Sequence, residues 1–185
     1  TRSTGDFGAM FNMPIAAGNL FIGTFSTDLT NPLKSTKFGL PFYYVPSSFS
    51  GYYKYKAGDT YYENGNVAEG QKDICHFYAV LYETDETVST LDGTNVLTHP
   101  NIISAAIIEN QTETDEWTRF DLPFVYRPGK SIDPEKLKNG KYNLAVVFTS
   151  SINGGTFKGA PGSMLYIDEV EITLDSETNY NPITD

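Results

Sequence analysis

Along much of this chain apolar and polar residues change places at every step, which is the period of a β-strand whose two faces meet different surroundings. In FSGYYKYKAG (49–58), Phe49, Gly51, Tyr53 and Tyr55 share one face, while Tyr52, Lys54 and Lys56 share the other. WTRFDLPFVY (117–126) sets Thr118, Phe120, Leu122 and Phe124 against Trp117, Arg119 and Asp121. ICHFYAVLYE (74–83) is apolar on both faces and predicts a central strand. Here Cys75, Phe77, Ala79 and Leu81 are expected to point inward, and His76, Tyr78 and Tyr82 outward. GNLFIGTFST (18–27), NIISAAII (101–108) and KYNLAVVFTSS (141–151) read as further strands. The last is MLYIDEVEITL (164–174), which carries an acid, Asp168, within its alternation.

The segments between these strands are punctuated. NPLKSTKFGLPFYYVPSS (31–48) holds three prolines and reads as a long loop, and 59–73 is polar and turn-rich. Ser150 to Gly162 forms a Gly/Ser-rich loop ahead of the final strand. One helix is predicted in SIDPEKLKNG (131–140), with Asp133 as its cap, Pro134 at the first position and Gly140 past its end. Residues 1–17 read as an irregular N-terminal arm and 175–185 as a polar tail. About seven strands and at most one short helix predict an all-β, two-sheet antiparallel sandwich filling one domain over 1–185.

Composition narrows the function classes. A net charge of −10 argues against nucleic acid, whose phosphates need clustered Lys and Arg, and against anionic membrane surfaces. A single cysteine, Cys75, excludes an internal disulfide and a Cys-based zinc site, and its apolar neighbours predict a buried, inert thiol. No apolar stretch approaches the ~20 residues of a membrane helix, so no membrane insertion by this region is expected. His76 and His99 are the only histidines, and no nucleophile elbow, zinc-binding helix or phosphate loop occurs.

The ordered set AAGNLFIGTF, NPLKSTKFGLPF, SGYYKYKAG, DICHFYAVLYET, EWTRFDLPFVY and FTSSINGGTFKGAPGSMLYIDEVEI resembles the putative carbohydrate metabolism domain family of gut-bacterial surface proteins. The resemblance spans most of residues 16 to 173. It implies a galactose-binding-like jelly roll in a secreted or surface-anchored protein, with further domains N-terminal to it and a glycan as partner. It also implies a structural calcium near Asp168. One Asp is too little for an ion that takes 6–8 oxygens, so a turn carboxylate is the plainer reading.

Alternation points to where a sugar would sit. With the apolar faces committed to the core, Tyr52, Lys54, His76, Tyr78, Trp117, Arg119 and Asp121 are expected on one surface, mixing aromatic platforms with hydrogen-bonding groups. A second candidate is Tyr61, Tyr62 and Asn64 beside the loop from Asn153 to Lys158. Hydrolysis would need a carboxyl pair, for which Glu169 and Glu171, roughly 6.6 Å apart on one strand face, are the candidates. Alternate acids on a strand are more simply a solvent-facing edge. The expectation is therefore a non-catalytic carbohydrate-binding module with no required cofactor. Its alternatives are a glycoside hydrolase and an adhesin domain that binds protein.

Overall fold

The computed structural model describes residues 1–5 and 15–176. In chain order the strands are β1 (Asn19–Phe21), β2 (Gly23–Phe25), β3 (Thr36–Phe38), β4 (Leu40–Pro41), β5 (Pro46–Lys56), β6 (Tyr62–Glu63), β7 (Asn66–Val67), β8 (His76–Glu83), β9 (Ile102–Ile107), β10 (Thr114–Pro123), β11 (Val125–Tyr126), β12 (Tyr142–Thr149) and β13 (Met164–Leu174). The one α-helix is α1 (Pro134–Lys138), where Asp133 accepts from the backbone N–H of Glu135 and Lys136 at 2.9 and 3.2 Å, satisfying two donors that the helix leaves unpaired.

Two antiparallel sheets form the sandwich. The larger runs β1-β12-β8-β9-β11, with β4 also on the edge of β12, and the smaller runs β10-β5-β13. The chain passes from β5 in the small sheet to β8 and β9, back to β10, across to β11 and β12, and returns as β13. That interleaving belongs to a jelly-roll sandwich. The core between the sheets holds Phe49, Tyr53 and Tyr55 of β5, Phe77, Ala79 and Leu81 of β8, Phe120 of β10, Leu144, Val146 and Phe148 of β12, and Cys75. Ring contacts link it: Phe77 lies 4.7 Å from Phe120 and Phe49 lies 5.1 Å from Phe120.

Two expected single strands are split. The 18–27 run becomes β1 and β2 in different sheets, because the chain turns at Gly23, where φ is +149° and a Cβ would stand 2.0 Å from the carbonyl oxygen of Lys37. The 117–126 run changes sheet at Phe124, between β10 and β11. The expected loop 31–48 contains β3, β4 and the start of β5. A short hairpin, β6–β7, lies within 59–73.

A second apolar layer covers the outer face of the large sheet. Tyr78, Val80 and Tyr82 of β8 and Ala145 and Val147 of β12 are buried beneath Phe38, Leu91 and Val96. The covering loops are built from a repeated Asp-x-Thr turn. Asp28, Asp85 and Asp92 each accept the backbone N–H and the hydroxyl of the Thr two residues on, at 2.5–2.9 Å. The Tyr82 hydroxyl donates to the carbonyl of Phe38 at 2.6 Å, and Asn143 donates to Tyr82 and to Ser89, both at 3.1 Å. These bonds tie the loops to the sheet.

Of the expected arm and tail, residues 6–14 and 177–185 lie outside the described residues. The remainder of the arm is ordered against the body: Arg2 bridges to Met164 and Thr4 to Ala16.

Candidate functional site

Among the described residues no loop covers the outer face of the small sheet, and here the strand register assembles the candidate side chains. Across it, Arg119 of β10, Tyr52 of β5 and Asp168 of β13 form one row. The next row toward the sandwich end holds Lys54 and Tyr166, with Trp117 on the β10 side. Lys54 Nζ stands 5.0 Å from the Trp117 ring centroid, a cation–π contact that holds the indole over the middle strand. Trp117 and Tyr166 remain 45% and 51% exposed, two aromatic side chains on either side of Lys54 on the same face. Arg119 donates to Asp121 at 3.1 Å, both exposed.

Beside this row opens a shallow cleft of about 510 Å³, bounded among others by Arg2, Lys54, Lys56, Asp115, Met164 and Tyr166. Sequence alternation foresaw Tyr52, Lys54, Trp117, Arg119 and Asp121 on one surface, and the structure brings these five together. Tyr166 was missed, although it shares strand parity with Asp168. Nothing in the sequence points to Arg2.

His76 and Tyr78 are elsewhere. Their strand, β8, is central in the opposite sheet, so its outer face looks away from the small sheet and lies under the second apolar layer. Tyr78 is 6% exposed and its phenol is pushed above its ordinary pKa by burial. His76 is half-buried, its ring 5.2 Å from that of Tyr78, and desolvation holds its pKa below the usual 6.5. The expectation of a single seven-residue surface fails because alternation gives the face of a strand but not the sheet to which it belongs.

The acids of β13 are rearranged by a β-bulge. Register slips between Asp168 and Glu171, with Glu169 at φ +48°. Two residues, Glu169 and Val170, thus occupy the place of one. Asp168 pairs with Tyr52 and Glu171 with Ser50, so these two, and not Glu169 and Glu171, are successive on the outer face. Asp168 is exposed and lies inside the strand, which corrects the turn-carboxylate reading; its Oδ1 accepts the N–H of Glu169 at 2.9 Å. Among the described residues, no group of three or more His, Cys, Asp or Glu is placed to hold a metal ion.

The second candidate surface keeps Asn64 and Asn153 exposed and Tyr62 half-buried, but turns Tyr61 inward. Asn153 donates to the Tyr61 hydroxyl at 3.1 Å, Lys158 pairs with Glu63, and Tyr62 and Gly159 exchange backbone hydrogen bonds at 2.8 and 3.1 Å. Tyr61 is buried. The Gly/Ser loop closes around a buried carboxylate that the sequence did not reveal. Asp73 Oδ2 accepts from Ser151 Oγ, from Ser163 Oγ at 2.7 Å and from the N–H of Ala160 at 2.8 Å, while Oδ1 accepts the N–H of Ile74 at 2.9 Å. Ser3 bonds Ser150 and Ser151 at 2.8 and 2.7 Å, joining the arm to the same cluster. At Gly159 a Cβ would lie 2.9 Å from Asp73 Oδ2 and at Gly154 one would lie 2.2 Å from that of Ala17, so these two glycines are packing requirements. Cys75 is fully buried, its thiol pushed up to about 12 by desolvation, as an inert core residue should be.

Fold and face together define a jelly-roll sandwich with one loop-covered sheet and one open, aromatic and charged sheet. The chain belongs to the putative carbohydrate metabolism domain family, whose pattern matches residues 1–173. It is similar to a crystal structure described as a putative glycoside hydrolase from Bacteroides thetaiotaomicron VPI-5482. That similarity has 56% identity and a TM-score of 0.89, and covers 95% of this chain and 52% of the other. A second, also described as a putative glycoside hydrolase, is from Bacteroides vulgatus ATCC 8482, with 46% identity, a TM-score of 0.88, and coverage of 94% and 71%. The chain thus spans about half the length of the first. No curated protein matches it.

Proposed function

We propose that this domain is a non-catalytic carbohydrate-binding module that holds a glycan against the outer face of the small sheet. The carrying observation is the flanking of Lys54 by two exposed aromatic side chains, Trp117 and Tyr166, on a sheet face that no loop covers among the described residues. Aromatic faces cover the apolar side of a sugar ring, and Lys54, Tyr52 and Arg119 are within the same rows to meet its hydroxyls. The setting in this proposal is extracellular or cell-surface, the compartment implied by the family resemblance. Affinity should be weak, since an open face buries little area. In calorimetry with a glycan selected from an array, Trp117→Ala and Tyr166→Ala should each weaken binding at least about tenfold, or ~1.4 kcal/mol. Two folded variants that bind as the wild type does would refute the site.

Hydrolysis has one observation in its favour: the bulge sets Asp168 and Glu171 one pairing step apart, roughly 7 Å along the face, and Asp121 lies across from Ser50. All three acids are exposed, whereas glycosidase general acids are commonly desolvated in an apolar pocket. Release of reducing sugar from the bound glycan, lost in Glu171→Gln, would support the enzyme reading.

A further inference from the structure

On this open face the charges are sorted by row. At the cleft end, Arg2 bridges to Met164, Met164 pairs with Lys56, and Tyr166 pairs with Lys54, so three cations lie within two rows. At the far end stand Asp168, Glu171 and Asp121 with a single cation, Arg119, which donates to Asp121, so carboxylates outnumber cations there by three to one. Among the described residues, Arg2, Lys54 and Lys56 make no ion pair with a carboxylate, although the chain has 23 acidic residues against 13 basic ones. Asp59 and Asp115 also line the cleft, so cations outnumber carboxylates there by three to two. The neighbouring Glu113 accepts from Lys72 at 2.6 Å and from the N–H of Ala57 at 3.0 Å, and it lies in the field of Lys56 without forming an ion pair with it.

We infer that the ligand is an anionic saccharide whose carboxylate or sulfate group lies in the cleft between Arg2 and Lys56, with its neutral rings over Tyr166 and Trp117. This rests on the reading of the face as a glycan site and deepens it. Unpaired cations in a recess of an acidic surface focus a local positive potential, and an arginine matches the two oxygens of a carboxylate or sulfate. The opposite end selects against further charge. Lys56 and Tyr52 are two pairing steps apart, roughly 13 Å, so a glycan charged on every residue would set an anion beside Asp168. The preferred ligand therefore carries its charge at one end.

The test is an array of matched neutral glycans, glycans ending in a single uronate, the same glycans ending in a single sulfate, and polyuronates. Hits should concentrate among singly charged glycans, with uronate against sulfate separating the two sources of the anion. Their affinity should fall about tenfold between about 50 and about 500 mM sodium chloride. Lys56→Gln and Arg2→Gln, both at exposed side chains, should weaken those hits at least about fivefold and leave neutral binding unchanged. Hits confined to neutral glycans, or to polyuronates, would overturn the inference while leaving the glycan face standing. So would singly charged hits that neither variant weakens. Binding to no glycan of any class would overturn both.

Discussion

Asp73 gathers four donors around one buried carboxylate, and three of them come from residues 78, 87 and 90 positions further along the chain. Hydrogen bonds to a charged acceptor contribute more than neutral ones, and donors left without an acceptor keep their full desolvation cost. Asp73→Ala should therefore destabilise the domain by roughly 3 kcal/mol or more, read from the midpoint of urea unfolding. A loss below 1 kcal/mol would show that water replaces the carboxylate. The Gly/Ser composition of the loop was plain in the sequence, and its meaning was not. The partner that explains Gly159, Ser151 and Ser163 lies on a distant segment, where local patterning cannot reach. Cys75 shows the converse, since its burial followed from its apolar neighbours alone.

Elements were legible where one alternation persisted. β8, β9, β12 and β13 lie within the segments that periodicity marks, β5 begins three residues ahead of its segment, and α1 lies within its capping signals. β1 and β2 lie within the marked run 18–27 but their separation was not legible, and β3 and β4 were missed, because two- and three-residue strands carry too few positions to show a period. Nor was the bulge in β13, where the spacing of Asp168, Glu169 and Glu171 alone suggested the wrong pair. The Asp-x-Thr turns of the covering layer have a measurable signature in acid. Hydrogen bonds from Thr87 and Asn101 hold Asp85 below its ordinary value of 3.8, and those from Thr30 and Asn31 do the same for Asp28. A carboxyl depressed in the folded state contributes stability that is present above pH 3.8 and is lost as pH falls through the folded value. Melting temperature should thus decline below about pH 4, and Asp85→Asn should flatten that decline. An unchanged acid limb in the variant would remove Asp85 from the account.

At the scale of the whole molecule, the two sheets have been given opposite outer surfaces. One carries Tyr78 and Tyr82 under a second apolar layer; the other leaves Trp117 and Tyr166 in solvent. Tyr78→Ala should consequently cost about 3–5 kcal/mol of stability and leave glycan affinity unaltered at a temperature where the variant is folded. Trp117→Ala should do the reverse. If Tyr78→Ala abolished binding without loss of stability, the assignment of function to the small sheet would be wrong. Five of the seven candidate residues share that sheet because β5 and β10 are neighbours in it, and no pattern within a single strand announces which strands will be neighbours.

The bulge in β13 shortens one exposed edge of the small sheet. A strand at the rim of a sheet invites a foreign strand to extend it. On β13 the N–H of Leu165 bonds the carbonyl of Thr1, and the N–H of Ser3 bonds that of Ser163, so the arm occupies the first part of the rim. The bulge then breaks the ladder before Glu171. What is left of this edge among the described residues is a short segment beyond the bulge, Glu171–Leu174, so β13 offers a foreign strand little to extend, and the longer edge of the small sheet is β10 on its other side.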